Sequence, residues 1–99
     1  MYVRIHEQKD RPVVAACDVN LIGRILESKN GAYMDLDNHR GFYIGTKTTA
    51  TKLKEALKNF SSANLVGKKT IKVAMSLGLV AKEDLMYIGE IPYVQIYSI

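Results

Sequence analysis

The stretch from Ser61 to Ile99 constrains the fold most, because its pattern changes at a glycine. Ala63–Val66 is an apolar run typical of a buried strand, and Gly67 follows it directly. The next segment, Lys68–Leu77, carries apolar residues at helical spacing, and Gly78 provides a helix stop. A strand, a glycine turn and a basic helix together predict backbone amides at the helix start that can bind an anion.

Hydrophobic periodicity organises the rest of the chain. Alternating or short apolar runs predict strands at Tyr2–Gln8, Val13–Ala16, Ala32–Leu36, Gly41–Ile44, Leu85–Ile88 and Tyr93–Tyr97. Helical spacing predicts a helix over Leu21–Glu27, with Asp18 as its cap. After a polar entry at Thr46–Thr51, a second helix is predicted from the apolar stripe Ala50, Leu53, Ala56, Leu57 and Phe60. We predict a single α+β domain over residues 1–99, with a mixed β-sheet, about three packed helices and hairpin-like strand pairs at both ends.

Length and composition narrow the class of protein. The chain has 99 residues, too few for two independent cores, and a formal net charge of +4. Its single cysteine, Cys17, excludes an internal disulfide and fits a reducing compartment. No apolar run approaches the length of about 20 residues that a membrane-spanning helix needs. We therefore expect a cytoplasmic protein without a membrane span.

The basic residues are concentrated in the middle of the chain. Between Lys47 and Lys72 there are seven lysines and a single acid, Glu55. A local cluster of this kind indicates a face that binds phosphates or another acidic partner. The predicted RNA- or phosphate-binding residues are Lys52, Lys68, Lys69 and Lys72, with Tyr43 and Tyr93 as surfaces on which bases could stack.

A second candidate site lies around the glycine turn. Asn64, Gly67 and Gln95 fall in or beside the C-terminal strands, and we predict that they form an anion- or small-molecule-binding site. The turn is not a nucleotide-binding P-loop. The first glycine of that motif is replaced by Ser62, and Lys69 stands where the motif needs serine or threonine.

No arrangement of residues identifies a reaction. The titratable candidates are Cys17 beside Asp18, the histidines His6 and His39, and the carboxylates Asp35 and Asp37. Their spacing matches no catalytic or metal-binding motif, and a lone cysteine in an apolar run is typical of a small core residue. We predict no catalytic residue, no metal and no cofactor. Whether the protein is an enzyme stays open, with a binding role favoured.

An ordered series of short segments resembles a known family. The segments are Met1–Glu7, Cys17-Asp18, Leu21–Arg24, Phe42–Gly45, Ala63–Gly67, Gly78–Val80 and Ile88–Gln95. At these spacings the chain resembles, over nearly its whole length, an archaeal family of uncharacterised small proteins, the domain of unknown function 424. That resemblance implies no established activity and a loose association with translation and RNA-related genes.

Charge, tyrosines and resemblance together favour non-catalytic binding of RNA or a ribonucleoprotein, in a translation-related role. Two alternatives stay open. One is a small-molecule or anion site at the Asn64–Gly67 turn, possible for an enzyme as well as for a binding protein. The other is an adaptor that docks a protein partner. The sequence leaves the oligomeric state open.

Overall fold

Two separate sets of strands form the β-structure of the described residues. A computed structural model describes residues 1–7, 11–27, 31, 33–37, 40–43, 46–47 and 49–98, with the side chains of Arg40, Tyr43 and Thr46 left aside. Its strands are β1 (Tyr2–His6), β2 (Val13–Cys17), β3 (Ile25–Glu27), β4 (Tyr33–Asp35), β5 (Thr46–Lys47), β6 (Ser62–Val66), β7 (Met86–Ile88) and β8 (Ile91–Tyr97). The predicted ends at Gln8, Ala32 and Ile44 lie outside the described residues.

The larger set is a mixed sheet in the order β5-β1-β2-β6-β8-β7. It consists, among the described residues, of five strands and the two-residue edge segment β5. β2 and β6 run parallel, whereas every other described pair in this sheet is antiparallel. The predictions of an α+β fold, a mixed sheet and hairpin-like pairs at both ends, β1–β2 and β7–β8, are confirmed.

The number of helices is smaller than predicted. The described residues contain two helices longer than one turn, α2 (Ala50–Ala56) and α3 (Lys68–Ser76), and the single turn α1 (Arg40–Tyr43). α3 and β6 lie where the sequence predicts them, and Gly78, at φ 73°, follows the end of α3. α2 is shorter than its apolar stripe, since Leu57 and Phe60 are buried beyond the end of the helix.

The predicted helix over Leu21–Glu27 is wrong. A 3-10 turn, Val19–Leu21, is followed by Gly23 at φ 89° and then by β3, which pairs with β4. A positive φ interrupts helical geometry, so the apolar residues at helical spacing are divided between two short segments, and Ile25 among them is exposed. Leu21 and Leu26 reach the same hydrophobic cluster in this way.

The predicted strand over Gly41–Ile44 is also wrong. Gly41, Phe42 and Tyr43 belong instead to α1, where the Phe42 ring stacks on His6 with ring centroids 4.4 Å apart, and Ile44 lies outside the described residues. The His6 Nε2 also donates a hydrogen bond to the Phe42 carbonyl at 2.9 Å. The predicted polar helix entry at Thr46–Thr51 instead begins with β5, which pairs with the outer edge of β1. An unpaired strand edge offers backbone hydrogen bonds that a polar segment can take up.

Each face of the sheet has its own hydrophobic cluster. Alternation along β2 sends Val14 and Ala16 to one face, where α2 and α3 pack, and Ala15 and Cys17 to the other. The second face is covered by the β3–β4 hairpin, the 3-10 turn and Phe42 of α1. Within the described residues, no helix has the length and apolar character needed to cross a bilayer.

We expect Leu53→Ala in α2 to lower the free energy of unfolding by about 2–5 kcal/mol, because Leu53 is completely buried between α2 and the sheet and its truncation leaves a cavity. Lys52→Ala, at the exposed neighbouring position, should change that free energy by less than about 0.5 kcal/mol. Urea unfolding of both variants measures the difference. Equal small losses would show that α2 does not pack as described.

Candidate functional site

The start of α3 is held by an acidic side chain from a distant part of the chain. Asp18 follows β2, and its Oδ2 accepts a hydrogen bond from the Lys69 amide at 3.1 Å. Its Oδ1 accepts from the Thr70 amide at 2.9 Å and from the Thr70 hydroxyl at 2.8 Å. Free amides at a helix start are commonly satisfied by a side chain immediately before the helix. Here a carboxylate some 50 residues away in sequence does so.

The parallel pairing of β2 with β6 explains how Asp18 reaches α3. The Asp18 amide donates to the Val66 carbonyl at 3.1 Å, which continues the β2–β6 ladder by one residue. Asp18 therefore lies beside the turn from β6 into α3. The sequence predicts that Asp18 caps the segment directly after it, and this is wrong. The Asp18 side chain makes no capping hydrogen bond to the 3-10 turn that follows it and caps α3 instead.

Gly67 is required by the Asp18 carboxylate. At φ 106° its backbone adopts a conformation that favours glycine. A Cβ added at this position would lie 2.4 Å from Asp18 Cγ and 2.6 Å from Oδ2, closer than nonbonded atoms can approach. Two of the amides predicted to bind an external anion at this turn, those of Lys69 and Thr70, thus already donate to Asp18, and Gly67 makes room for that carboxylate.

A cleft of about 590 Å³ opens beside this cap. Its polar lining is Asp18, Asn20, Lys47, Lys68 and Lys69, and its apolar lining is Met1, Val19, Leu21 and Ile91. Lys68 and Lys69 come from the first turn of α3, whereas Lys47 comes from the edge segment β5. All three lysines are exposed, while Asp18 is 7% exposed and turned to the α3 amides.

The remaining predicted phosphate-binding lysines do not line the cleft. Lys52 lies on the exposed side of α2 and Lys72 on the exposed side of α3. Lys47 is the cleft lysine that the predicted phosphate-binding set does not include, since it lies about twenty residues from Lys68 and the pairing of its strand with β1 follows from no local pattern. Its position in the lysine-rich span Lys47–Lys72 is the feature of the sequence that could have identified it.

The predicted site of Asn64, Gly67 and Gln95 is divided in two. Asn64 and Gln95 are opposite each other in the β6–β8 register, as neighbours on adjacent strands. Gln95 is exposed and Asn64 half-buried, and neither lines the cleft. Gly67 lies apart from them, against Asp18, and its amide donates to the Pro92 carbonyl at 2.9 Å.

The two tyrosines predicted to stack on bases belong to different elements, α1 and β8. The Tyr43 side chain lies outside the described residues, although its backbone belongs to α1. Tyr93 is half-buried and packs against the hydrophobic cluster beneath the β3–β4 hairpin. Exposed aromatic rings are instead found at Tyr33, Tyr87 and Tyr97.

The titratable candidates occupy structural positions. Cys17 is fully buried, and its thiol donates to the Asp18 carbonyl at 3.3 Å. Burial and, to a lesser degree, the Asp18 carboxylate raise the pKa of the Cys17 thiol to about 12, so it is protonated at neutral pH. Asp35 accepts hydrogen bonds from the Asp37 amide at 3.0 Å and from the Tyr33 hydroxyl at 3.1 Å.

Metal-binding geometry is absent from the described part of the chain. No group of three or more His, Cys, Asp or Glu residues there could hold a metal ion. His6 is engaged with Phe42 in α1. His39 lies outside the described residues.

The fold and the cleft define a small α+β protein with a basic cleft at one end of its sheet. The family model "Protein of unknown function (DUF424)" matches residues 6–99, and the chain belongs to this family. It is also similar to an uncharacterized conserved protein from Methanopyrus kandleri known from a crystal structure, with 28% identity and a TM-score of 0.78. That match covers 97% of this chain and 89% of the other. No curated protein matches the chain.

We expect Asp18→Ala to lower the free energy of unfolding by about 2–4 kcal/mol, because the buried Thr70 hydroxyl and two helix amides lose their acceptor. Gly67→Ala should be comparably damaging alone. It should be less damaging in an Asp18→Ala background, where the added Cβ no longer meets a carboxylate and only the cost of the positive φ remains. Denaturant unfolding of the two single variants and the double variant measures this coupling, with Asn20→Ala as an exposed control. Additive losses would contradict the proposed contact.

We expect the Cys17 thiol to resist alkylation by iodoacetamide in the folded protein and to react fully in urea.

Because the folded pKa of the Cys17 thiol, about 12, exceeds the ordinary 9.0, the unfolded chain loses this proton first as the pH rises. Cys17 should therefore contribute a loss of unfolding free energy of about 1.4 kcal/mol per pH unit between pH 9 and 12. Comparing the pH dependence of the unfolding free energy of wild type with that of Cys17→Ala across this range separates the contribution of Cys17 from that of other groups. Identical pH dependence in the two proteins would disprove the predicted contribution of Cys17.

Proposed function

We propose that this protein binds RNA without catalysing a reaction, and that the lysine-lined cleft receives RNA phosphates. The observation that carries the proposal is the convergence of Lys47, Lys68 and Lys69 on one cleft from two elements distant in sequence. Cationic side chains gathered on one surface provide the electrostatic part of nucleic-acid affinity.

The charge balance of the cleft supports this proposal. Within the described part of the chain, none of the three ammonium groups forms an ion pair with a carboxylate, in contrast to Lys58, which pairs with Glu55 at 3.1 Å. Asp18 is the acid at the cleft, and its oxygens accept hydrogen bonds from α3. The cleft therefore carries a net positive charge that an anionic partner can neutralise.

The composition of the cleft favours RNA over a purely electrostatic partner. Its lysines lie beside an apolar lining, which a hydrated phosphate chain alone would leave unused. Unpaired RNA nucleotides present bases and phosphates side by side, so both the cationic and the apolar parts of the lining gain a contact.

The cleft also lacks, among its described lining residues, a histidine or cysteine that could serve as a base or nucleophile.

We expect the triple variant Lys47→Gln, Lys68→Gln, Lys69→Gln to weaken binding of a fluorescein-labelled single-stranded RNA by about tenfold or more at 0.15 M salt. Loss of three phosphate contacts should also reduce the slope of log affinity against log salt by about 2. Fluorescence anisotropy across a salt series measures both quantities.

A matched control keeps the total charge equal. Lys54→Gln, Lys58→Gln, Lys82→Gln removes three exposed lysines that do not line the cleft. This control should retain most of the affinity. Equal losses in the two triple variants would reduce the effect to net charge and contradict a phosphate site in the cleft. Equal affinity for RNA and duplex DNA would contradict the preference for RNA.

A further inference from the structure

We infer that the cleft holds a single nucleotide unit, with its phosphate at Lys47, Lys68 and Lys69 and its base against the apolar lining. This inference rests on the proposed function and adds the ligand class. The nucleotide can belong to an RNA chain or be a free nucleoside monophosphate, because the same groups recognise both.

The size and lining of the cleft define this ligand. Its volume of about 590 Å³ falls within the range of about 300–1,000 Å³ found for small-molecule sites. Leu21 is buried at the cleft, and Met1, Val19 and Ile91 are half-buried around it. A cleft lined by both cations and aliphatic side chains fits a ligand that is anionic at one end and flat and apolar at the other.

Asp18 restricts how the phosphate is held. Its carboxylate takes the Lys69 and Thr70 amides, so a phosphate cannot bind there as it does at an open helix start. The flexible ammonium groups of the three lysines are the available donors. The fixed negative charge of Asp18 also repels a second phosphate close to it, which favours a monophosphate over a diphosphate or triphosphate.

Asn20 gives the cleft a group that can read a base. Its exposed side chain lines the cleft between Val19 and Leu21, and an amide offers both a donor and an acceptor. Asparagine pairs with base edges through this combination of groups. A base that packs against Val19 therefore has its edge close to Asn20, the next residue of the chain.

Titration of ¹⁵N-labelled protein with adenosine 5′-monophosphate, ribose 5-phosphate and inorganic phosphate, followed by NMR, tests the inference. We expect the nucleotide to bind at least about tenfold more tightly than ribose 5-phosphate, with shifts at residues 18–21 and 68–69. Val19→Ser should weaken nucleotide binding severalfold and leave ribose 5-phosphate unchanged. Val13→Ser, the same change at a half-buried strand position that does not line the cleft, should alter neither. Adenosine 5′-diphosphate should bind no more tightly than the monophosphate.

The outcomes separate this inference from the proposed function. If RNA binding depends on the three lysines but the nucleotide binds no better than ribose 5-phosphate, the inference fails and RNA binding stands. If the nucleotide binds in the cleft and RNA does not, the inference holds with a free nucleotide as ligand, and the proposed function fails. Nucleotide shifts outside the cleft, or none at millimolar concentration, would overturn the inference.

Discussion

The contact between the Asp18 carboxylate and the start of α3 organises the end of the sheet at which the cleft opens. It joins the end of β2 to the first turn of α3, and it satisfies a buried threonine hydroxyl together with two amides. Gly67 has no side chain because that carboxylate fills the space where one would lie. The position of the helix start, the identity of the turn residue and the shape of the adjacent cleft therefore depend on one acidic group.

The same contact changes the chemistry of the turn. A strand, glycine and helix in succession favour anion binding by backbone amides, but Asp18 occupies two of those amides. In the proposed phosphate site, recognition therefore depends on the flexible ammonium groups of Lys47, Lys68 and Lys69 and not on fixed backbone donors. Lysine ammonium groups are strongly hydrated point charges, which suits reversible, salt-sensitive contact with phosphate better than tight selection of one oxyanion.

The parts of the fold that the sequence predicts are those governed by local patterns. β6, the glycine turn, α3 and the terminal hairpins follow from periodicity and turn residues. The helix predicted over Leu21–Glu27 is wrong because a turn and a strand bury Leu21 and Leu26 in one cluster without a helix, while Ile25 is exposed. The contribution of Lys47 to the cleft, and the reach of Asp18 to α3, depend on strand pairings between distant segments, which a single sequence does not reveal. Asn64 and Gln95 were correctly expected to be neighbours, since both belong to C-terminal strands.

The parallel alignment of β2 with β6 also links the stability of the two halves of the chain. Residues after Ser61 contain the whole of α3 and the strands beside it, yet the cap of that helix comes from Asp18, more than fifty residues earlier. An isolated helix of nine residues is marginal in water, so α3 gains its full stability when β2 has joined the sheet. Pairing β2 with β6 closes the long loop between them. The entropic cost of that closure must be met before the contacts that it permits can stabilise the fold. The cleft is lined by residues from both parts of the chain, so a C-terminal fragment alone would not contain it.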